Sequence, residues 1–205
     1  MITVYGAPGW GSAISELMLT LAEIPYQFDN VDGFDKPGPQ QERLRSINPL
    51  CQVPTLQLDD GSVMTETAAI ALMILDKRPD LAPPVGTPER DQFWRLLVWL
   101  VANVYPTFTY ADYPERFAPD APEQLRERCV AYRKTLYLWL EKQLQAAPWA
   151  FGQQLTLLDI YICVMRTWGP RQGWFAQNAP KMSAIADAVC GLPSLRNVLR
   201  SNDII

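Results

Sequence analysis

Residues 53–70 have the sequence VPTLQLDDGSVMTETAAI, which contains most of the information about the N-terminal fold. Pro54 cannot donate to a β-ladder, so it belongs at the start or the edge of a strand. The run Asp59-Asp60-Gly61 predicts a hairpin turn into a second short strand. A helix then opens on an acid and a hydroxyl, Glu66 and Thr67. The segment predicts the order strand, turn, strand, helix.

The two ends of this segment together predict a site for a small zwitterionic peptide. Val53 is pushed toward an extended conformation by Pro54, and its N–H and C=O groups can then pair with an extended ligand. Free N–H groups at the helix start favour a carboxylate, while Glu66 can accept from an ammonium and Thr67 can add a hydrogen bond. In the alternative interpretation, Pro54 only shapes a turn and the threonines only cap the helix.

The rest of the N-terminal half predicts a thioredoxin-like order of elements, βαβαββα. Apolar residues at helical spacing predict a first helix over about Ser12–Glu23, between strands at Ile2–Tyr5 and Tyr26–Val31. A Gly/Pro-containing loop leads to a short helix near Glu42–Ser46, and Ala68–Lys77 forms the third helix. We expect this domain to cover residues 1–78.

Helical periodicity dominates after a proline-rich linker at residues 79–86. Thr87-Pro88 is a good N-cap and first helical position, and a long helix is predicted from about Pro122 to Leu144. Thr156 and Asp159 have the spacing of a capping box before an apolar run. We expect an all-helical C-terminal domain over residues 87–205.

The composition narrows the possible functions of the 205-residue chain. The formal net charge is −4 with no clustered Lys/Arg stripe, which argues against nucleic acid as a partner. The four cysteines are scattered, which argues against a disulfide scaffold and a zinc site. Neither a secretory signal nor a membrane-spanning segment is recognised, so a cytoplasmic location is expected.

The chain contains no histidine. Catalytic triads that use histidine, histidine-ligated metals and imidazole acid–base chemistry are therefore excluded. An enzyme with this sequence must use carboxylates, hydroxyls, thiols, backbone dipoles or a bound cosubstrate.

The chain resembles the glutathione S-transferases, and in particular small bacterial members, over its whole length. NPLCQVPTL, residues 48–56, is similar to the family's Asn-Pro-x-Gly-Lys-Val-Pro-x-Leu segment, which has a cis proline. Glu66-Thr67-x-Ala69-Ile70 resembles the family's acid-hydroxyl-x-Ala-Ile signature. The resemblance implies glutathione as cosubstrate, with Val53 on the cysteinyl backbone and Glu66 and Thr67 on the γ-glutamyl end. It also implies a homodimer.

The loop before the first helix departs from the family at the catalytic positions. The family's usual serine or threonine falls on Gly9, and the cysteine of the bacterial beta class falls on Gly11. Ser12 is the nearest hydroxyl that could donate to the glutathione sulfur; its alternative role is the N-cap of the helix. The backbone N–H groups of Gly11 and Ser12 are a second source of donors.

Two aromatic residues beside this loop are further candidates. Tyr5 aligns with the catalytic tyrosine of the tyrosine-type classes, although a tyrosine at a strand end is often structural. Trp10 could offer its indole N–H or cover glutathione.

Activation of the glutathione thiol by one donor is energetically sufficient. Lowering a thiol pKa from about 8.5 by roughly two units needs about 2.7 kcal/mol, and a charge-assisted hydrogen bond contributes roughly 1.5–3 kcal/mol.

A second departure is Cys51-Gln52, where the family has Gly-Lys. Gln52 can donate to the glycyl carboxylate of glutathione, but without a positive charge. Cys51 could form a mixed disulfide if it is exposed, or could be a buried structural thiol. The absence of Cys-x-x-Cys argues against dithiol exchange.

The leading hypothesis is a transferase that joins the glutathione thiol to a small hydrophobic electrophile. Aromatic residues of the helical half could line the electrophile pocket or could be ordinary packing: Tyr105, Phe108, Tyr110, Tyr113, Phe117 and Trp168. Two alternatives remain open. One is a glutathione-dependent disulfide reductase or peroxidase, and the other is a non-catalytic binding or regulatory protein on the same fold.

Overall fold

The computed structural model describes all residues, Met1–Ile205. The chain forms two compact units, one of Met1–Leu81 with Ala188–Ile205 and one of Ala82–Asp187. The first boundary between the two units, after Leu81, lies within the predicted linker at residues 79–86. The end of the chain differs from the expectation: residues 188–205 belong to the first unit and not to the helical one. Leu195, Leu199 and Ile204 bury their side chains there, which fixes this segment.

The first unit contains a four-stranded mixed sheet. In chain order its elements are β1 (Ile2–Gly6), α1 (Ser12–Leu21), β2 (Tyr26–Asn30), α2 (Pro39–Arg45), β3 (Thr55–Gln57), β4 (Val63–Thr65), α3 (Thr67–Lys77) and a 3₁₀ turn (Pro79–Leu81). The strand order is β2-β1-β3-β4, with β1 parallel to β2 and the other two pairs antiparallel. The predicted βαβαββα order is confirmed.

Local sequence explains these elements. On α1, the side chains of Ile14, Leu17 and Met18 are fully buried, as their helical spacing predicts. The β3–β4 hairpin turns at Asp60, whose carboxylate accepts from the Ser62 backbone N–H at 2.9 Å and from its hydroxyl at 2.6 Å. Gly61 follows with φ +84°, a conformation that glycine adopts without steric cost.

The second unit is all-helical, as expected. Its elements are α4 (Pro88–Trp99), a π-helical turn (Leu100–Val104), α5 (Tyr105–Asp112), a 3₁₀ turn (Pro114–Arg116), α6 (Pro122–Glu141), α7 (Leu157–Thr167), α8 (Gln172–Asn178) and the greater part of α9 (Pro180–Cys190). A 3₁₀ turn (Pro193–Leu195) and α10 (Arg196–Ser201) complete the chain in the first unit. None of the helices is long and apolar enough to cross a bilayer.

Both predicted N-caps of the second unit are confirmed. The Thr87 hydroxyl accepts from the Arg90 N–H at 3.2 Å at the start of α4. At the start of α7, Asp159 accepts from the Thr156 N–H at 2.7 Å and from its hydroxyl at 2.8 Å. The other Asp159 oxygen accepts from the Ala150 N–H at 2.7 Å. Burial raises the pKa of Asp159 to about 6 in spite of these bonds, which each favour the charged form.

Candidate functional site

The β3–β4 register brings the two halves of the predicted peptide site together. Thr55 of β3 is paired with Thr65 of β4. Because the strands are antiparallel, the residues just before β3 and just after β4 lie at the same end of the hairpin. Val53-Pro54 and Glu66-Thr67 are therefore neighbours at one sheet end.

Val53 lies outside the sheet ladder. The β1–β3 pairing ends at Thr55, so the N–H and C=O groups of Val53 are not used in the sheet. The Val53–Pro54 peptide bond is cis, as the resemblance implied. Val53 is half-buried, and its edge is available to an extended ligand.

Asn48 holds this loop in place, a role that the sequence analysis did not assign. Its Nδ2 donates to the Gln52 carbonyl at 3.3 Å and to the Thr55 hydroxyl at 2.9 Å. Its Oδ1 accepts from the Leu50 N–H at 3.1 Å. Asn48 is buried, and the sequence signal for its role was an asparagine directly before a proline, because asparagine side chains often bond nearby backbone groups.

The start of α3 has the features of a binding site for an amino-acid head group. Glu66 is exposed and occupies the N-cap position with φ 63° and ψ 113°, and its side chain makes no capping bond. The first helical backbone bond runs from the Ile70 N–H to the Glu66 carbonyl at 3.0 Å. The N–H groups of Thr67, Ala68 and Ala69 consequently have no carbonyl within the helix. A carboxylate on these N–H groups and an ammonium on Glu66 match the local charges.

Ser12 is engaged inside its own loop. Its hydroxyl donates to the Ala7 carbonyl and accepts from the Ala7 N–H, both at 3.0 Å, and the side chain is fully buried. Gly11 occupies the N-cap position, so Ser12 is the first helical residue and not the cap. Gly6 provides the space: a Cβ there would lie 2.3 Å from the Ser12 Cβ. This geometry favours a structural role for the Ser12 hydroxyl.

The backbone of the same loop retains donors. The loop's backbone bonds start from the N–H groups of Trp10, Ala13 and Ile14. The N–H groups of Gly11 and Ser12 stand at the start of α1, where no intrahelical acceptor exists. These two groups remain the candidate donors to a ligand sulfur.

Tyr5 and Trp10 are both part of apolar packing. Tyr5 is buried in a cluster with Ala7, Val31, Phe34 and Leu44. This position favours the structural interpretation of Tyr5. The Trp10 ring contacts Phe34 edge to face at 5.1 Å between centroids and is 37% exposed, so part of its surface remains accessible.

Gln52 is exposed, whereas Cys51 is partly buried. The Cys51 sulfur lies 3.5 Å from the Phe34 carbonyl oxygen and 3.6 Å from that of Gln41, so its S–H can donate to either. Its backbone has φ 53°, the conformation that the family's glycine adopts readily. These contacts favour the structural role of Cys51.

A buried acid lies behind the loop. Glu16 of α1 is 4% exposed, and burial raises its pKa to about 7, although hydrogen bonds from Asn202 and Tyr26 favour the charged form. The Tyr26 hydroxyl also bonds the Thr20 hydroxyl at 3.1 Å. Burial raises the pKa of Tyr26 to about 12.

Five of the six aromatic residues predicted to line the electrophile pocket form two groups. Trp168 contacts Tyr105 and Phe108 edge to face, at 5.7 and 5.1 Å between centroids. Tyr110 and Phe117 contact each other at 4.7 Å, and both are exposed.

Buried Arg133 stacks on one of these rings. Its guanidinium lies over the Phe108 ring at 3.5 Å and donates to the Thr107 hydroxyl at 2.8 Å and the Thr107 carbonyl at 2.7 Å. Burial lowers the pKa of Arg133. Its bonds hold the start of α5 and show ordinary packing beside the first aromatic group.

Comparisons with known proteins establish the family. Residues 14–77 match the family model for the glutathione S-transferase N-terminal domain. The chain is 69% identical over 205 residues to an uncharacterized GST-like protein, YncG of Escherichia coli K12, and the match covers all of both chains. The chain belongs to the glutathione S-transferase family. This membership supports a glutathione-binding function.

More distant glutathione S-transferases are similar to the chain over nearly its whole length. GstA of Escherichia coli O157:H7 is 25% identical over 199 residues, covering 96% of each chain. The crystal structure of a glutathione transferase from Methylococcus capsulatus is 26% identical, with a TM-score of 0.71 and complete coverage of both chains. The thioredoxin-like unit and the helical unit are those of this family.

Proposed function

We propose that the protein binds glutathione in its first unit. The observation that carries the proposal is the register that places the free edge of Val53 beside the exposed Glu66 and the open start of α3. The cysteinyl backbone of glutathione pairs with Val53, and the γ-glutamyl carboxylate meets the N–H groups of Thr67 and Ala68. The γ-glutamyl ammonium meets Glu66, and Gln52 reaches the glycyl carboxylate.

We further propose that the bound thiol is activated by backbone donors and used as a nucleophile. The thiol of glutathione supplies the nucleophile, so the chain needs only donors at the position of the developing thiolate. The N–H groups of Gly11 and Ser12 supply them at the positive end of α1. The thiol releases its proton to water, the thiolate sulfur forms the new bond to the electrophilic carbon, and the leaving group departs with its electron pair. Ser12 and Tyr5 support this loop by hydrogen bonding and packing, and the partly exposed ring of Trp10 belongs to the loop itself.

Titration calorimetry and a substrate panel test the proposed function. We expect glutathione binding, an ultraviolet thiolate band of the complex near neutral pH, and turnover of a nitroaromatic electrophile. Turnover of only a peroxide or a mixed disulfide would instead assign the reductase or peroxidase activity. Binding without a thiolate band or turnover would assign a binding or regulatory role. The absence of glutathione binding would refute the proposal.

The assembly and location are further proposals from the family. We propose a homodimer in the cytoplasm. Light scattering during size-exclusion chromatography should give twice the mass of the 23.2 kDa chain. A monomer across the micromolar range would contradict this assembly.

A further inference from the structure

Asn202, close to the end of the chain, is tied to the loop that precedes α1. The Gly9 N–H donates to Asn202 Oδ1 at 3.0 Å. Asn202 Nδ2 donates to Glu16 Oε1 at 3.0 Å and to the Val198 carbonyl at 3.0 Å. The side chain is 2% exposed. The amide oxygen accepts one hydrogen bond and the amide nitrogen donates two. Only this orientation of the amide satisfies all three bonds.

Asn202 anchors the middle of this loop from a distant part of the sequence. Between Ala7 and Ser12 it contains Gly9 and Gly11, and Gly9 has φ +75°, a conformation that no Cβ restrains at this residue. The Ala7–Ser12 hydrogen bonds fix its two ends. Gly9 lies between these ends, and a Cβ at this position would stand 3.5 Å from the Asn202 carbonyl oxygen. The C-terminal segment therefore contacts the middle of the loop.

Asn202 also links this loop to the helix that it starts. Glu16 lies on α1 beyond the Gly11 and Ser12 N–H groups. One amide thus joins the backbone before those donors to a buried side chain after them. Loss of the amide would remove this buried acceptor from the Gly9 N–H, so the direction of the following N–H groups would become less defined.

We propose that Asn202 is a positioning residue for the glutathione thiol. It holds Gly9 so that the Gly11 and Ser12 N–H groups face the sulfur, and it does not itself contact the ligand. The inference rests on the proposed function of the first unit. A merely structural role, in which Asn202 only attaches the C-terminal segment to α1, would change stability without changing the bound thiol.

The Asn202→Ala variant tests this role through the ionisation of bound glutathione. We expect the thiolate absorbance of the complex at neutral pH to fall about five- to tenfold, because the apparent thiol pKa rises as the donors lose their alignment. We expect kcat to fall by a similar factor. The Kd for S-methylglutathione, which has no ionisable thiol, should change by less than about twofold, because Val53 and Glu66 hold the peptide.

Ser201→Ala is the matched control. Ser201 is exposed, and its hydroxyl donates only to the Val198 carbonyl in the same turn, at 3.1 Å. This variant should keep the wild-type thiolate absorbance. An equal loss of thiolate in both variants would show that any change in α10 has the effect, and would contradict a specific role for Asn202.

An exchange of donor and acceptor separates positioning from stability. Asn202→Asp keeps an acceptor for Gly9 but places a carboxylate oxygen against Glu16 and the Val198 carbonyl. Adding Glu16→Gln supplies an amide that can donate to the new carboxylate. We expect Asn202→Asp to lose thiolate and the double variant to recover part of it, since only the bond to residue 16 is restored. Recovery of thermal stability without recovery of the thiol pKa would overturn the proposal.

The outcomes distinguish this inference from the proposed function. A wild-type protein that does not bind glutathione refutes the proposed function and this inference with it. A wild-type protein that binds glutathione as thiolate, with the same thiol pKa in the Asn202 variants, refutes this inference alone. If Asn202→Ala does not fold, the thiol pKa of glutathione bound to Asn202→Asp and to the double variant tests the proposal instead.

Discussion

Substitution of Glu66 by glycine should weaken ligand binding but raise protein stability. The side chain is exposed and makes no capping bond, so its removal leaves no buried group unsatisfied. Its backbone has φ 63° and ψ 113°, where a residue with a Cβ is strained by roughly 1–3 kcal/mol. The side chain therefore serves the ligand, while the backbone conformation lowers stability.

The size of each effect follows from these two observations. Glu66→Ala removes a charge-assisted hydrogen bond of about 1.5–3 kcal/mol, so the Kd for glutathione should rise about 10- to 150-fold. Glu66→Gln keeps a neutral acceptor and should raise the Kd about tenfold. Glu66→Gly weakens binding as much as alanine does, but also relieves the backbone strain. Relief of strain less the added chain entropy leaves about 0.5–2 kcal/mol of stabilisation.

Calorimetry and thermal unfolding measure the two effects on the same samples. For a chain of this length, the glycine variant should melt about 1–8 °C higher than the wild type. Glu23→Gly is the matched control, because Glu23 is also an exposed glutamate with a positive φ, 57°, and lies outside the site. It should raise the melting temperature and leave the Kd unchanged. Unchanged glutathione affinity in all three Glu66 variants would refute the assignment of this site.

Three further predictions concern the buried polar groups. Because the pKa of Glu16 is raised from 4.5 to about 7, the folded state binds its proton more tightly, and the free energy of unfolding should fall as the pH rises through this range. Between pH 6 and 8 the fall should be about 1 kcal/mol by urea unfolding, and a Glu16→Gln variant with the same fall would contradict it. Asp159→Ala leaves the buried Ala150 and Thr156 N–H groups without their acceptor and should lower the free energy of unfolding by about 2–5 kcal/mol, which calorimetric melting can check; a change below about 0.5 kcal/mol would disagree. Ser12→Ala should destabilise the protein by about 1–3 kcal/mol in urea, since the Ala7 N–H loses its acceptor, while a stability equal to wild type would show that this bond contributes nothing.

The hairpin and the helix after it could be predicted because their signals are local. Pro54 sets where β3 can begin, the Asp-Asp-Gly run sets the turn, and these together fix the register. The register then places Glu66 beside Val53 without knowledge of the remaining chain. The same reasoning found the caps at Thr87 and Thr156.

The end of α1 shows how a single backbone angle limits such predictions. Apolar periodicity extended the helix to Glu23, but it ends at Leu21. Glu23 adopts φ 57°, which terminates the helix without the glycine that usually marks this position. Propensity alone does not reveal an acid in a left-handed conformation.

The loop before α1 could not be predicted in detail because its partners are distant in sequence. The Ser12 hydroxyl turns back to Ala7 since Gly6 leaves room for it. Gly9 is anchored by Asn202, from a segment that periodicity assigned to the helical domain. Only the folded chain shows that residues 188–205 belong to the first unit.

A crystal structure of the protein with glutathione tests the central claim most directly. We predict the cysteinyl backbone paired with Val53, the γ-glutamyl carboxylate on the N–H groups at the start of α3, and the ammonium on Glu66. The sulfur should lie within hydrogen-bond distance of the Gly11 or Ser12 N–H. Glutathione bound elsewhere, or none bound from a saturating solution, would contradict the account.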